Sequence, residues 1–378
     1  MNNETYQQCT KTVMDNIADP NVTFDKDGVC NYWYDYKIAA DEGLFHGKEG
    51  EDKWAQTIAK IKSDSKSKKY DCIIGVSGGV DSTYVAYLIK KANLRPLVVH
   101  LDNGWNSEIA VNNITKIIKY LGADFYTLVI NWEEFRDLQR AYIKAGVVDI
   151  EALTDHAIIG TLYKIAAENN IKYVISGSNI ETEELLPKSW VYYNKKDSIN
   201  IKDIHKKFGE VKLNTYPFFS ILKKIYYLNF KQLEFVSPIN WAPYNKQKVK
   251  EIISNEIGWV DYGGKHHESI FTKFFQNYIL PEKFKIDKRK AHLSNLICSG
   301  QLTREQALKE LELPIYDPKE LSADKDYVVK KLGFTTEEFD TIMKEKARGH
   351  FDYETEGSIE KHFPVLKPLK FIYNLFKK

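Results

Sequence analysis

Between residues 70 and 180 short apolar runs alternate with amphipathic ones. Cys72-Ile73-Ile74-Gly75-Val76 reads as a buried strand and Thr83 to Lys91 as the helix after it. Pro96 to Leu101 is a second strand. Ser107 to Leu121, with Ile109, Ile114, Ile117, Ile118 and Leu121 at helical spacing, returns over the sheet. Phe125 to Ile130 is a third strand, Thr154 reads as the cap of a helix running to about Asn169, and Lys172 to Ser176 is a fourth strand. Strand, helix and strand in repetition predict βαβ units, hence an α/β fold with a parallel twisted sheet. Such sheets bind ligands at the carboxyl ends of their strands.

The flanks read differently. Asp19-Pro20-Asn21 and Asp25-Lys26-Asp27-Gly28 mark turns in an N-terminal stretch without sustained helical period, and Trp54 to Ile61 then shows one. The basic run Lys60 to Lys69 is a solvated helix end and linker. Residues 189 to 235, rich in aromatics and lysine, show no clear period and are expected as an insertion over the site. From Lys246 helical patterns dominate, and Thr303 and Thr335 each precede a capped helix start. The expected division is an irregular module over 1–60, an α/β domain over 61–245 and a mainly helical region over 246–378 that contributes to the substrate site.

Charge narrows the function classes. Lys plus Arg number 54 against 52 Asp plus Glu, so no global field calls for a nucleic-acid partner. No stretch approaches the length of apolar chain that spans a bilayer, and Met1-Asn2-Asn3-Glu4-Thr5 is no secretory leader, so a cytoplasmic location is expected. Four cysteines in 378 residues do not make a disulfide framework.

The chemistry concentrates at Ser77-Gly78-Gly79-Val80-Asp81-Ser82. Two glycines after a buried strand let the backbone turn tightly and bring its N–H groups to a ligand. The following helix adds its positive end, and Ser77 and Ser82 add hydroxyls, which suits pyrophosphate. Asp81 makes sense there as a ligand of the Mg²⁺ that accompanies ATP. Gly-Lys-Ser/Thr is missing, so this is no Walker A loop.

The hexapeptide resembles the PP-loop signature of the ATP-pyrophosphatase superfamily (adenine nucleotide alpha hydrolase-like). That resemblance implies ATP and Mg²⁺ as cofactors, attack of a substrate oxygen on the α phosphate, and release of pyrophosphate. It extends to His100-Leu101-Asp102-Asn103-Gly104, where members meet adenosine, and to the glycine turn Ser176-Gly177-Ser178 near the nucleotide. His100, Asp102 and Gly177 are therefore nucleotide-site candidates beside Ser77, Gly78, Gly79, Asp81 and Ser82.

A narrower resemblance lies in Tyr262-Gly263-Gly264-Lys265-His266-His267-Glu268-Ser269, Phe271-Thr272-Lys273-Phe274, Leu280-Pro281-Glu282-Lys283-Phe284, Asp287-Lys288-Arg289-Lys290-Ala291-His292-Leu293-Ser294 and Ser299-Gly300-Gln301-Leu302-Thr303-Arg304-Glu305. Together these are similar to the N-acetyl sugar amidotransferase family, which makes acetamidino sugars for bacterial lipopolysaccharide and flagellin glycans. The implied substrate is a nucleotide-linked N-acetyl sugar whose acetamido oxygen is adenylated and then replaced by ammonia. Lys265, His266, Glu268 and Arg289 join Asp81 as catalytic candidates, because cations here suit pyrophosphate or an anionic sugar nucleotide and a glutamate can steer a proton. For any one of them a charged helix surface is an equally good reading.

No cysteine is placed as a glutaminase nucleophile: residue 2 is Asn2, and Cys72 and Cys298 fall in a strand and a helix. A separate glutaminase subunit is the expected source of ammonia, as the resemblance also implies. The family's two Cys-x-x-Cys pairs are here Cys9-Thr10-Lys11-Thr12 and Cys30-Asn31-Tyr32-Trp33, each without its second cysteine, so structural zinc is not expected. The basic amphipathic tail His362 to Lys378 reads as packing on the body or on a partner, with weak membrane-surface contact as the other reading. Competing functions are a tRNA-modifying enzyme that adenylates a nucleobase, and a module that binds ATP without turning it over.

Overall fold

The computed structural model describes residues 5–191, 194–264 and 267–358. Its centre is a five-stranded, all-parallel sheet: β1 (Cys72–Gly75), β2 (Pro96–Asp102), β3 (Phe125–Val129), β4 (Tyr173–Ile175) and β5 (Glu234–Val236). The spatial order is β3-β2-β1-β4-β5. The chain therefore builds outward from β1 in one direction and restarts at β4 on its other side. That reversal opens a crevice between the carboxyl ends of β1 and β4, the place where open α/β sheets take ligands. β1 and β4 are continuous apolar runs because helices cover both their faces.

One face of the sheet packs helices Val80–Lys91 and Glu108–Leu121 through Val85, Ile89, Ile114 and Ile117. The other packs helix Ala152–Glu168 through Leu162, Ile165 and Ala166. That helix begins two residues before the predicted cap. Thr154 caps nothing and its hydroxyl instead accepts from Asn103 Nδ2 at 3.4 Å.

The longer elements that escaped the sequence reading are helix Asn31–Gly43, helix Trp132–Ala145 and helix Ser198–Phe208, and strand β5 escaped it too. Helix Gly47–Asp64 also runs across the boundary expected at residue 60. Thr303 and Thr335 do cap helices Arg304–Glu312 and Thr336–Lys344, each in a reciprocal capping box, with Gln306 and Glu338.

The stretch 5–30 carries isolated bridges, Gln8–Asp15 and Phe24–Cys30, whereas the rest of the module expected as irregular over 1–60 is helical, through Asn31–Gly43 and Gly47–Asp64. That first stretch packs on the C-terminal region rather than on the sheet: Val13 N–H donates to Ser294 Oγ at 3.3 Å, and Arg304 donates to the carbonyls of Cys9 and Thr12 at 3.2 and 3.0 Å. Cys9 Sγ accepts from the N–H groups of Lys11, Thr12 and Cys30 at 3.4, 3.3 and 3.2 Å. The Cys30 thiol first, and then these donors, hold the Cys9 thiol below its ordinary value, while the bond to Cys9 and burial push the Cys30 thiol up. Thr12 Oγ1 lies 3.5 Å from Cys30 Sγ, so a hydroxyl occupies the place a second thiolate of the pair would take.

Among the described residues no helix is long and apolar enough to cross a membrane. The tail 362–378 lies outside the described residues.

Candidate active site

β1 delivers the chain to Ser77-Gly78-Gly79, and helix Val80–Lys91 starts at once. Gly78 has φ +79°, a conformation that favours glycine, and a Cβ there would stand 2.6 Å from the carbonyl oxygen of Ala110. The turn is closed by hydroxyls: Gly79 N–H donates to Ser77 Oγ at 3.2 Å, Ser77 N–H to Ser82 Oγ at 3.3 Å, and Thr83 Oγ1 to the Gly79 carbonyl at 2.6 Å. The Gly78 carbonyl, which would repel an anion, is turned away and accepts from Trp259 Nε1 at 2.9 Å and Asn113 Nδ2 at 3.4 Å. With that carbonyl turned away, the start of helix Val80–Lys91 presents its positive end to the cleft.

Asp81 is held from two sides. Tyr244 donates its hydroxyl to Asp81 Oδ1, and Asn179 Nδ2 donates to the same oxygen at 3.4 Å. Burial, with Asp81 next in importance, keeps the Tyr244 phenol far above its ordinary range, so it stays a donor at any accessible pH. Gly177 lets the turn after β4 approach: a Cβ there would lie 3.2 Å from the Cβ of Asp81.

The C-terminal region reaches the loop through a short antiparallel contact. Asn106 bridges Ser269, Ser107 N–H donates to the Glu268 carbonyl at 2.9 Å, and Ile270 N–H to the Trp105 carbonyl at 2.9 Å. This brings Glu268 to the phosphate loop: its Oε1 would be 3.2 Å from a Cβ on Gly79, and the Tyr262 hydroxyl 3.4 Å. Burial first, and then Glu268, raise the Tyr262 phenol well above its usual value, and that hydroxyl also meets the backbone of Val80.

Three connected compartments share Ile158 and Ser176 in their walls. The first, about 460 Å³, lies over the loop and takes Asp81, Glu183, Lys246, Tyr262, Glu268 and His292. A second, about 360 Å³, runs past the carboxyl ends of β1 and β2 and takes His100, Asn103, Asn106, Glu151, Thr272 and Lys288. The third, about 1040 Å³, opens outward among Leu185, Leu186, Lys195, His267, Lys288 and His292. Volumes of this order are those of small-molecule sites.

His100 bonds the Val76 carbonyl through Nδ1 at 2.8 Å and faces Asn106 Nδ2 through Nε2 at 3.1 Å. The carbonyl can only accept, so Nδ1 carries a proton. Asp102 serves the adjoining turn, accepting from Gly104 N–H at 2.9 Å and Asn106 Nδ2 at 3.2 Å. Arg289 lines the outer compartment, yet its guanidinium is committed: both Asp287 oxygens accept from it, and it donates to the carbonyls of Glu310, Leu311 and Leu313 at 3.3, 3.4 and 2.8 Å. It caps helix Arg304–Glu312. Lys283 likewise donates to the carbonyls of Ile342 and Glu345, and Lys273 pairs with Glu320 and Asp324. Lys265 and His266 lie outside the described residues.

Sequence reasoning missed Lys246, which begins helix Lys246–Ile257 and donates to His292 Nε2 at 3.2 Å, as well as Tyr244 and Glu151. Tyr244 carried no motif. Glu151 accepts from Thr272 Oγ1 at 2.9 Å, and burial, reinforced by Asp155, pushes its carboxyl up to about 8.

The donor set suits Mg²⁺. Asp81 and Glu183 offer carboxylate oxygens in the loop compartment, and a cation that keeps phosphate and water oxygens needs few protein ligands. Among the described residues no three His, Cys, Asp or Glu side chains cluster to hold a metal by themselves.

Residues 54–186 match the family described as NAD synthase, and residues 268–369 match the C-terminal domain of the family described as LPS biosynthesis protein WbpG-like. The first match carries the phosphate loop, and the second begins at Glu268. The chain is similar to an NMN synthetase from Francisella tularensis (14% identity, 75% of this chain and 96% of that one, TM-score 0.39). It is also similar to an NH₃-dependent NAD synthetase from Campylobacter jejuni (15% identity, 80% and 95%, TM-score 0.33). No curated protein matches the chain.

Proposed function

We propose that this chain, which joins an NAD synthase-like PP-loop domain to a WbpG-like C-terminal domain, is an AMP-forming sugar amidotransferase of lipopolysaccharide or flagellin glycan synthesis. The ATP dependence and the lipopolysaccharide link rest on the two family matches. The reaction adenylates the acetamido oxygen of a nucleotide-linked N-acetyl sugar and replaces AMP by ammonia, leaving an acetamidino sugar. One observation carries the reading: Glu268, the first residue of the WbpG-like match, is pressed against Gly79 of the phosphate loop. This contact supports a reading in which an acceptor held by the C-terminal region meets ATP beside the loop.

The phosphate loop binds the β and γ phosphates on backbone N–H groups. His100, Asn103 and Asn106 flank the adenosine, and the outer compartment takes the sugar nucleotide beside Lys288 and His292. Mg²⁺, held by Asp81 with Glu183, supplies charge neutralisation on the phosphates. Attack of the amide oxygen breaks the bond between the α phosphorus and the bridging oxygen, and pyrophosphate leaves. The oxygen is then part of a good leaving group, so ammonia forms the new C–N bond as AMP departs. Glu268 is placed to take the proton that ammonia sheds. Catalysis is positioning and electrostatic stabilisation, without a covalent enzyme intermediate. Ammonia comes from a separate glutaminase subunit, and the location is cytoplasmic.

The test is incubation with ATP, Mg²⁺, ammonium and nucleotide-linked acetamido sugars. AMP, pyrophosphate and a product with one oxygen exchanged for NH are expected. ADP as product would sink the reading, and AMP release that needs tRNA but no sugar would turn it to nucleobase modification.

A further inference from the structure

Residues 211–233 contain four lysines, Lys212, Lys223, Lys224 and Lys231, and no aspartate or glutamate. Within them helix Ile221–Ile225 continues as a π-helical turn, Tyr226–Phe230. Of the eighteen exposed large apolar side chains among the described residues, five fall between 222 and 235: Leu222 (78% exposed), Tyr226 (46%), Leu228, Phe230 (75%) and Phe235 (47%). Leu222, Tyr226 and Phe230 follow one another at four-residue spacing, and the last two rings stack at 6.3 Å. The segment is not loosely attached. Tyr227 is buried, stacked on Phe219 at 6.3 Å and packed on Tyr163 at 5.7 Å, and Leu233 N–H closes the turn on the Tyr227 carbonyl at 3.1 Å.

A rigid element that keeps its leucine and phenylalanine tips in water, with lysines on either side, has the composition of a helix lying in a bilayer interface. Aromatic rings settle at headgroup depth, and lysines in excess over acids are drawn to anionic lipid. Glu234, the one acid between 211 and 235, is already paired with Lys60 and Lys172, so the charge this stretch contributes is mainly positive and complements an anionic surface. We propose that the Ile221–Phe230 segment with Phe235 is a contact for an anionic membrane surface. Leu228 and Phe235 also line the outer compartment, so docking there seats the mouth of the cleft on the bilayer. The proposal does not depend on which reaction the cleft performs.

The test is co-sedimentation of the full chain with phosphatidylcholine vesicles and with vesicles that also contain phosphatidylglycerol. Binding is expected only to the anionic vesicles, weakening as salt is raised. The double variant Leu222→Ser/Phe230→Ser alters exposed tips and keeps the wild-type Tm, and it should bind at least about tenfold more weakly. Absence of binding to anionic vesicles would overturn the proposal. So would undiminished binding by the double variant, which would assign the contact to another part of the chain, the basic tail included. Self-association of the wild type that disappears in the variant, without lipid binding, would give the surface to a second copy instead.

Discussion

Replacing Tyr244 by Phe removes one oxygen atom from the site and isolates the positioning of Asp81. The phenol donates to Asp81 Oδ1, an oxygen that also accepts the longer 3.4 Å bond from Asn179, so the variant loses the shorter of these two bonds. The ring itself stays fixed, because it is buried and meets Tyr84 edge-on at 5.9 Å. A hydrogen bond to a charged group contributes about 1.5–3 kcal/mol. If half or more of that is spent on orienting Asp81 toward Mg²⁺, kcat/KM for ATP falls roughly four- to hundredfold. The assay is pyrophosphate release against MgATP at two Mg²⁺ concentrations. Tyr244→Phe should need more Mg²⁺ and recover part of its activity when given it, with Tm lowered only slightly. Wild-type kcat/KM and wild-type Mg²⁺ dependence would refute the claim that Asp81 is a metal ligand steered by Tyr244.

Two further substitutions separate structure from chemistry. Arg289→Ala removes the clamp on the end of helix Arg304–Glu312, which should cost about 1–3 kcal/mol of stability while leaving KM for ATP unchanged. A large fall in kcat at unchanged Tm would restore the catalytic role read from the sequence. Glu151 has its carboxyl pushed up to about 8 from an ordinary value of 4.5. The folded state therefore binds this proton more tightly than the unfolded one, and the stability it contributes is complete below 4.5 and lost as pH rises through 8. Glu151→Gln should flatten that part of the Tm–pH curve and raise Tm at alkaline pH, and identical curves would rule out a raised carboxyl.

The sheet was legible because β1, β2 and β4 are buried on both faces and therefore read as unbroken apolar runs between amphipathic helices. The phosphate loop was legible because Gly78 and Gly79 follow one such run. Strand β5 was not, since Glu234–Val236 lies at the sheet edge with Phe235 exposed and is no buried apolar run of the kind that marks β4. The positioning groups were hidden for another reason. Tyr244 and Asn179 reach Asp81 from far along the chain, and a tyrosine in an irregular stretch looks the same whether it packs, binds or orients. Arg289 is the converse case, because a cation in a motif-rich segment reads as ligand-facing, and its bonds to the carbonyls of Glu310, Leu311 and Leu313 are visible only in the fold.

The contacts that finish the phosphate loop have an implication for synthesis. The carbonyl of Gly78 is turned away by Trp259, and Glu268 arrives only with the strand-like contact between Asn106 and Ser269. A ribosome releases β1 and its loop long before it makes either residue. The loop therefore takes its last contacts from residues as far as 181 positions downstream, and its final shape waits on the folding of the C-terminal region against it.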